Sequence, residues 1–118
     1  MRTGYAFQEV SRRHGDFALA GVACALTLDS AGLCTKAHLV FLGLGMQPID
    51  ARAAAKHLVG VKPDADAIRA ASEAVDSEID PSSDIHASAE YRRQLARVLA
   101  RRALETAAVR ANAHQPNT

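Results

Sequence analysis

The spacing of apolar residues changes near Pro48, and this change constrains the fold of the 118-residue chain more than any other feature. Before Pro48 apolar residues recur at every second position, which is typical of strands. After Pro48 they recur at every third or fourth position, which is typical of helices. A chain that forms strands first and helices afterwards favours an α+β fold. We therefore expect a small antiparallel sheet with helices packed on one of its faces.

Three strands are expected before Pro48. The first covers residues 5–10, the second covers residues 17–29, and the third follows a turn at residues 29–32. The second strand has large residues on one face and small residues on the other, and the small face is either solvated or docked on a partner. Residues expected to share the large face are Val22, Cys24, Leu26, Leu28, Leu33, Ala37, Leu39 and Phe41, whereas Lys36 and His38 face away.

The two cysteines are expected to remain free thiols. If Leu28 lies opposite Leu33 across the turn, Cys24 faces Ala37 and Cys34 faces Thr27, so that the two thiols point to opposite faces of the sheet. Their separation would exceed the ~4.4–6.8 Å between Cα atoms that a disulfide requires. Free, buried or half-buried thiols agree with a cytoplasmic protein.

Three helices are expected after Pro48, at residues 50–58, from Asp64 to Asp80, and at residues 88–111. Asp64 behind Pro63 is the expected N-cap of the second helix. Its apolar stripe consists of Ile68, Ala71, Val75 and Ile79. The expected buried side of the third helix consists of Tyr91, Leu95, Val98, Leu99 and Ala103, and its other sides carry Arg92, Arg93, Arg97, Arg101, Arg102 and Glu105. Residues 1–113 would form one domain, followed by a flexible tail at 114–118.

Composition excludes several classes of function. The formal net charge is +1, and the arginines of the last helix are partly balanced, so a solvated helix face is favoured over a nucleic-acid interface. No apolar run reaches the roughly 18–20 residues that span a bilayer, and no secretory signal is recognisable. The five histidines lack metal-ligand spacing, so that no metal site is expected, and no strong catalytic motif is present.

The segment SRRHGD at residues 11–16, which we call the charged bend, concentrates charge between the first two expected strands. Arg12 and Arg13 with Asp16 could hold an anionic or planar ligand, because guanidinium groups form rigid bidentate contacts. Alternatively, Asp16 pairs with an arginine or caps the following turn. The residues alone favour this second, structural interpretation.

Three blocks of the sequence, in the same order, resemble one known family over about residues 5 to 105. They are FQEVSRRHGDFALAGVA, GLGMQPIDARAAAKHLVG and IDPSSDIHASAEYRRQLARVLARRAL. The family is the C-terminal domain of the FAD-binding medium subunit of molybdenum hydroxylases, the group of aerobic carbon monoxide dehydrogenase and xanthine dehydrogenase-like enzymes. The resemblance implies three to four antiparallel strands followed by three helices.

The resemblance also implies which subunit carries out each step of the reaction and where the charged bend lies. In such enzymes a molybdopterin subunit oxidises the substrate, iron-sulfur clusters relay electrons, and FAD in the medium subunit passes them on. Arg12, Arg13 and Asp16 would lie at the edge of a flavin site supplied by another domain, although Glu9 replaces a lysine common in relatives. Asp84, Tyr91 and Arg92 would form a structural hydrogen-bond cluster at the start of the last helix.

Two functions follow as hypotheses. In the first, implied by the resemblance, the chain is a noncatalytic structural or interaction domain that binds no cofactor alone. Its partners would be a FAD-binding domain with molybdopterin and iron-sulfur subunits, or a second copy of itself. In the alternative, the chain is a small free-standing enzyme or ligand-binding protein that reuses an exposed pocket near the bend. Arg12, His14 and Asp16 would then carry the chemistry.

Overall fold

The structure is a computed structural model that describes residues 2–11, 18–43, 48–79 and 89–113. Within these ranges it confirms the expected α+β fold, because an antiparallel sheet is followed by helices that pack on one of its faces. Neighbours in the sheet are also neighbours in the chain. The strands are β1 (Arg2–Ser11), β2 (Ala18–Leu28), β3 (Cys34–Gly43) and β4 (Ile49–Asp50).

The helices lie close to where the 3.6-residue period predicts them. They are α1 (Arg52–Lys56), α2 (Ala65–Ala74), a 3₁₀ turn at Val75–Ser77, and α3 (Ala89–Ala113). The first helix is shorter than expected because Asp50 belongs to β4, where it pairs with Val40. Asp64 caps α2 as expected, since its carboxylate accepts the Ala67 amide at 2.9 Å. The predicted stripe of α2 and its extension is buried throughout.

The register of the β2–β3 hairpin differs from the expected one. Cys24 lies opposite Leu39, and Leu28 lies opposite Cys34, because the ladder is irregular between Thr27 and Leu28. This bulge in the pairing moves Cys34 onto the core side. The prediction that the two thiols point to opposite faces is therefore wrong, since the exposed fractions of Cys24 and Cys34 are only 5% and 1%. Both thiols are free, as expected.

The buried side of α3 is built mainly from alanines, and the predicted side was partly wrong. Tyr91 is 45% exposed, whereas Arg92, which was expected to face outwards, is 4% exposed. Arg92 is buried because it lies one helical turn before the buried Ala96, in the same row on one side of α3. The prediction was based on the positions of the larger side chains, which include Tyr91. The fully or nearly buried residues of this row are Ala96, Leu99, Ala100, Ala103, Leu104, Ala107, Ala108 and Ala111.

The short helix α1 depends on a carboxylate from outside the helix. Its N-cap residue, Ala51, has no capping side chain, but the Glu78 carboxylate accepts the amides of Ala53 at 2.8 Å and Ala54 at 3.1 Å. A negative charge at this position satisfies two amides that the helix leaves unpaired and interacts favourably with the helix dipole. Glu78 thereby fixes α1 to the end of the 3₁₀ turn.

Replacing Glu78 with alanine is expected to lower the free energy of unfolding by about 1–2 kcal/mol, the usual cost of losing a capping side chain. Glu78→Gln, which retains one acceptor oxygen, should lose roughly half as much. Urea unfolding followed by circular dichroism measures both changes. Glu73→Ala, which removes a carboxylate from an exposed position of α2, is the matched control. An unchanged midpoint for Glu78→Ala would show that the two hydrogen bonds do not stabilise α1.

Candidate functional site

The charged bend predicted as a flavin edge or an active site lies outside the described residues. This applies to Arg12, Arg13, His14 and Asp16. Both interpretations of these residues therefore stay predictions.

The second predicted group is only partly described. Tyr91 and Arg92 lie in the first turn of α3, whereas Asp84 lies outside the described residues. Consecutive helix positions do not face each other. This agrees with the exposed ring of Tyr91 and the buried side chain of Arg92. Their role as a structural cluster with Asp84 also stays a prediction.

The described part of the chain presents a different candidate, the sheet face turned away from the helices. We call it the open face. Its side chains come from alternate positions of the three long strands and form four cross-strand rows. The rows are Thr3 with Thr27 and Lys36, Tyr5 with Ala25 and His38, Phe7 with Ala23 and Val40, and Glu9 with Gly21 and Leu42.

The open face has the shape of a shallow trough. Its floor is the central strand β2, which contributes only glycine, alanine and threonine. One wall is aromatic, because Tyr5 and Phe7 are 67% and 51% exposed, and the opposite wall includes Leu42, which is 37% exposed. A Cβ atom built on Gly21 would lie 3.6 Å from the Phe7 ring, so that the ring extends over this part of the floor.

Polar groups lie on the β3–β4 side of the open face. The Asp50 carboxylate lies 3.5 Å from His38 Nε2 and 3.4 Å from Arg52 Nε. These side chains are largely exposed, and ion pairs between exposed groups contribute little to stability. This cluster therefore provides hydrogen-bonding groups at the rim of an apolar surface.

The two cysteines and the possible metal ligands are the candidate sources of chemistry among the described residues. Burial raises the pKa of the Cys24 thiol to about 12 and also raises that of Cys34, so neither thiol is an activated nucleophile. Among the described residues, no group of three or more histidine, cysteine or acidic side chains could hold a metal ion. No helix in this part of the chain is long and apolar enough to cross a membrane.

Two grooves in the described part of the chain lie near the end of the sheet where β1 begins, away from Ser11. One, of about 620 Å³, lies between α2 and α3 and includes Ile68 and Arg101, and the other includes Arg2 and Lys62. Arg2 is the first residue of β1, whereas Ser11, where the charged bend begins, is the last residue of that strand. These grooves therefore provide no support for the alternative that a pocket near the bend binds a ligand.

Comparison with known proteins identifies a family over most of the chain. The sequence profile described as CO dehydrogenase flavoprotein C-terminal domain matches residues 5–107. The 6-hydroxypseudooxynicotine dehydrogenase complex subunit alpha of Paenarthrobacter nicotinovorans is 39% identical over 109 residues, which are 92% of this chain and 37% of the relative. The carbon monoxide dehydrogenase medium chain of Afipia carboxidovorans is 38% identical with the same coverage.

Solved structures show the same correspondence in three dimensions. Reconstituted CO dehydrogenase from Oligotropha carboxidovorans matches with a TM-score of 0.85 and 37% identity. Quinoline 2-oxidoreductase from Pseudomonas putida 86 matches with a TM-score of 0.85 and 31% identity. In both cases the match covers 92% of this chain and 38% of the other. The chain thus spans little more than a third of the length of the relatives that it matches.

Proposed function

Because the chain belongs to the family of CO dehydrogenase flavoprotein C-terminal domains, we propose that it is the structural and interaction domain of a molybdenum hydroxylase medium subunit. In this role it packs beside FAD that is bound by the rest of the medium subunit. The observation that carries the proposal is the match of 92% of this chain to about a third of each relative, at 38–39% identity. A domain that accounts for a third of a flavoprotein subunit has the remaining two-thirds as its natural neighbour.

The proposed partners are a FAD-bearing portion and, beyond it, molybdopterin and iron-sulfur subunits. We propose that this domain borders FAD and does not hold it alone, because the matching profile describes the C-terminal domain of a flavoprotein and the chain matches little more than a third of each relative. When bound in the neighbouring portion, FAD would supply the electron-transfer chemistry. We propose that Arg12, Arg13 and Asp16 lie at the rim of that site.

A chimaeric subunit tests the proposal. This chain replaces the corresponding C-terminal third of the Paenarthrobacter nicotinovorans alpha subunit, and the purified protein is assayed for FAD by absorbance after denaturation. We expect the FAD content per chain to match that of the parent subunit. The control is the parent subunit truncated before this domain, which should retain less FAD. A chimaera that retains no more FAD than the truncated control would contradict the proposed function.

A further inference from the structure

The outer edge of β1 is a row of backbone groups that no other strand covers within the described residues. β1 is the first strand in the order β1-β2-β3-β4 and has 10 residues, whereas β4 at the opposite edge has only 2. Amides and carbonyls along a long edge strand pair readily with a strand of another chain. We propose that this edge pairs with the same edge of a second copy of the chain. The pairing does not depend on the function proposed above.

The hydrogen bonds of the neighbouring strands determine which residues of β1 turn their backbone outwards. The Leu39 carbonyl accepts the Ala51 amide at 2.8 Å, so Leu39 turns its backbone away from β2. Cys24, which lies opposite Leu39, therefore turns its backbone towards β1 and its partner Ala6. Because hydrogen-bonded and non-hydrogen-bonded pairs alternate, the even residues of β1 bond to β2. The odd residues present their amides and carbonyls at the edge.

Two contacts of odd residues agree with this alternation. The Tyr5 carbonyl accepts a hydrogen bond from Arg110 Nη1 at 2.8 Å, so a side chain of α3 reaches it. The Oγ1 atoms of Thr3 and Thr27 are 3.0 Å apart, and side chains approach most closely in non-hydrogen-bonded pairs. The residues with outward amides and carbonyls between Arg2 and Val10 are Thr3, Tyr5, Phe7 and Glu9.

These outward residues are complementary to a second copy of themselves. When two β1 strands pair antiparallel about a two-fold axis at Ala6, Tyr5 of each copy lies opposite Phe7 of the other, and Thr3 lies opposite Glu9. Both aromatic side chains are more than half exposed, and aromatic residues in opposite positions stabilise neighbouring strands. An axis at Tyr5 or Phe7 would give one aromatic pair instead of two. The register about Ala6 is therefore favoured, and it places no like charges of β1 opposite each other.

The exposed side chain of Arg110 competes with this pairing. Its guanidinium donates to the Tyr5 carbonyl, which would accept the Phe7 amide of the second copy in the paired edge. Because Tyr5 is next to the axis at Ala6, pairing also brings the two Arg110 charges towards each other. Charged side chains at a sheet edge oppose strand pairing. Arg110 therefore keeps the association of the parent chain weak.

Sedimentation velocity of the 118-residue chain over a wide range of concentrations tests the edge. We expect Arg110→Ala to dimerise about tenfold more tightly than the parent chain, the scale of a hydrogen bond to a charged group. Phe7→Lys, added to Arg110→Ala, should weaken the dimer by about tenfold or more, because it places a cation at the edge. The matched control is Leu42→Lys in the same background. Leu42 is 37% exposed on β3, away from the β1 edge, and its replacement should leave the dimer unchanged.

A proline substitution tests whether the backbone itself forms the contact. Glu9→Pro removes an outward amide and no hydrogen bond to β2, and edge strands accept proline at such positions. Glu9→Ala removes the same carboxylate but keeps the amide. In the Arg110→Ala background, we expect Glu9→Pro to weaken the dimer by about tenfold and Glu9→Ala to change it little. Circular dichroism of each variant verifies that it is folded.

Each contrary result has a distinct meaning. If the parent chain and Arg110→Ala both remain monomeric at every concentration, the proposed pairing is overturned. If Leu42→Lys weakens the dimer as much as Phe7→Lys does, the contact lies on the open face and the edge is excluded. Equal effects of the two Glu9 substitutions would show that the backbone of β1 does not pair, which also contradicts the proposal. Equal dimerisation of the parent chain and Arg110→Ala would overturn the competing role of Arg110.

Discussion

Replacing Gly4 with alanine is expected to destabilise this domain by about 3 kcal/mol or more, the upper range for overpacking a tight core. Gly4 lies on β1 where the strand meets the C-terminal half of α3. A Cβ atom at this position would lie 2.1 Å from the Ala107 carbonyl oxygen and 2.4 Å from the Ala111 amide nitrogen. Both atoms belong to the helix backbone, so a side-chain rotation cannot relieve the overlap. The helix would have to move away from the sheet and lose contacts along its alanine row.

Urea unfolding at neutral pH measures this effect, and the midpoint for Gly4→Ala should fall by about 1 M or more at the m-values usual for small domains. Gly21→Ala is the matched control. Gly21 also lies on a strand, but its added Cβ would meet side-chain and backbone atoms only at 3.6–3.7 Å, an ordinary contact distance. Its stability should change by less than about 1 kcal/mol, the scale of glycine's strand penalty.

A second variant distinguishes backbone overlap from general crowding. If the Ala107 side chain caused the conflict, the double variant Gly4→Ala with Ala107→Gly would recover stability. Because the conflicting atom is the carbonyl oxygen of Ala107, we expect no recovery and a further loss from glycine within the helix. A stable Gly4→Ala protein would instead show that α3 can move outwards without loss of packing.

The same close approach explains why the sequence predicted the position of α3 but not its buried side. The helical period was evident, and Leu99 and Ala103 were correctly assigned to the core. However, an apolar stripe is usually recognised from large residues, which favoured Tyr91. The sheet side opposite α3 carries Gly4 and Ala6, and so it accepts alanines of the helix at short distance. The complementary small residues on β1 and α3 are far apart in sequence, and only the fold shows that they meet.

The hairpin illustrates a second limit of sequence-based reasoning. Alternation correctly placed Lys36 and His38 away from the core. The register failed because the Asp29 carboxylate accepts the amides of Ala31 at 2.9 Å and Leu33 at 3.0 Å, which stabilises a longer loop before β3 begins. The bulge that follows brings Cys34 into the core instead of Leu33. The loop shifts the pairing by one residue at Leu28, and the irregularity between Thr27 and Leu28 shifts it by a second residue at Cys24. A pattern of apolar positions does not reveal either shift.

The open face was anticipated only in part. The small residues of β2 and the outward positions of Lys36 and His38 indicated a second sheet face that is solvated or docked. The exposed aromatic wall was missed, because the alternation in β1 alone does not tell which set of residues faces the helices. The sequence does hold an indication of the correct face, because Gly4 and Ala6 are smaller than Tyr5 and Phe7. Small residues fit the face of a strand that a helix covers closely.

Alkaline pH is expected to destabilise the domain through its buried thiols. Burial raises the pKa of Cys24 from 9.0 to about 12, outweighing the backbone hydrogen bond with Ala6 and the charge of Arg110. Below pH 9 the Cys24 thiol is protonated in both the folded and the unfolded chain, so its full contribution to the free energy of unfolding is present. Between pH 9 and pH 12 the unfolded chain releases the proton and the folded chain does not, so stability is lost as pH rises. The loss is about 1.4 kcal/mol per pH unit, or about 4 kcal/mol by pH 12.

Urea unfolding in the presence of a reductant, at intervals from pH 8 to pH 11, measures this dependence. Cys24→Ala removes the titrating thiol, so its stability should fall less steeply above pH 9 by about 1.4 kcal/mol per pH unit. Cys34→Ala should reduce the slope in the same direction, because burial also raises the pKa of Cys34. Equal slopes for the parent chain and Cys24→Ala would mean that the core admits the Cys24 thiolate. In that case Cys24 would also react with maleimide in the folded chain.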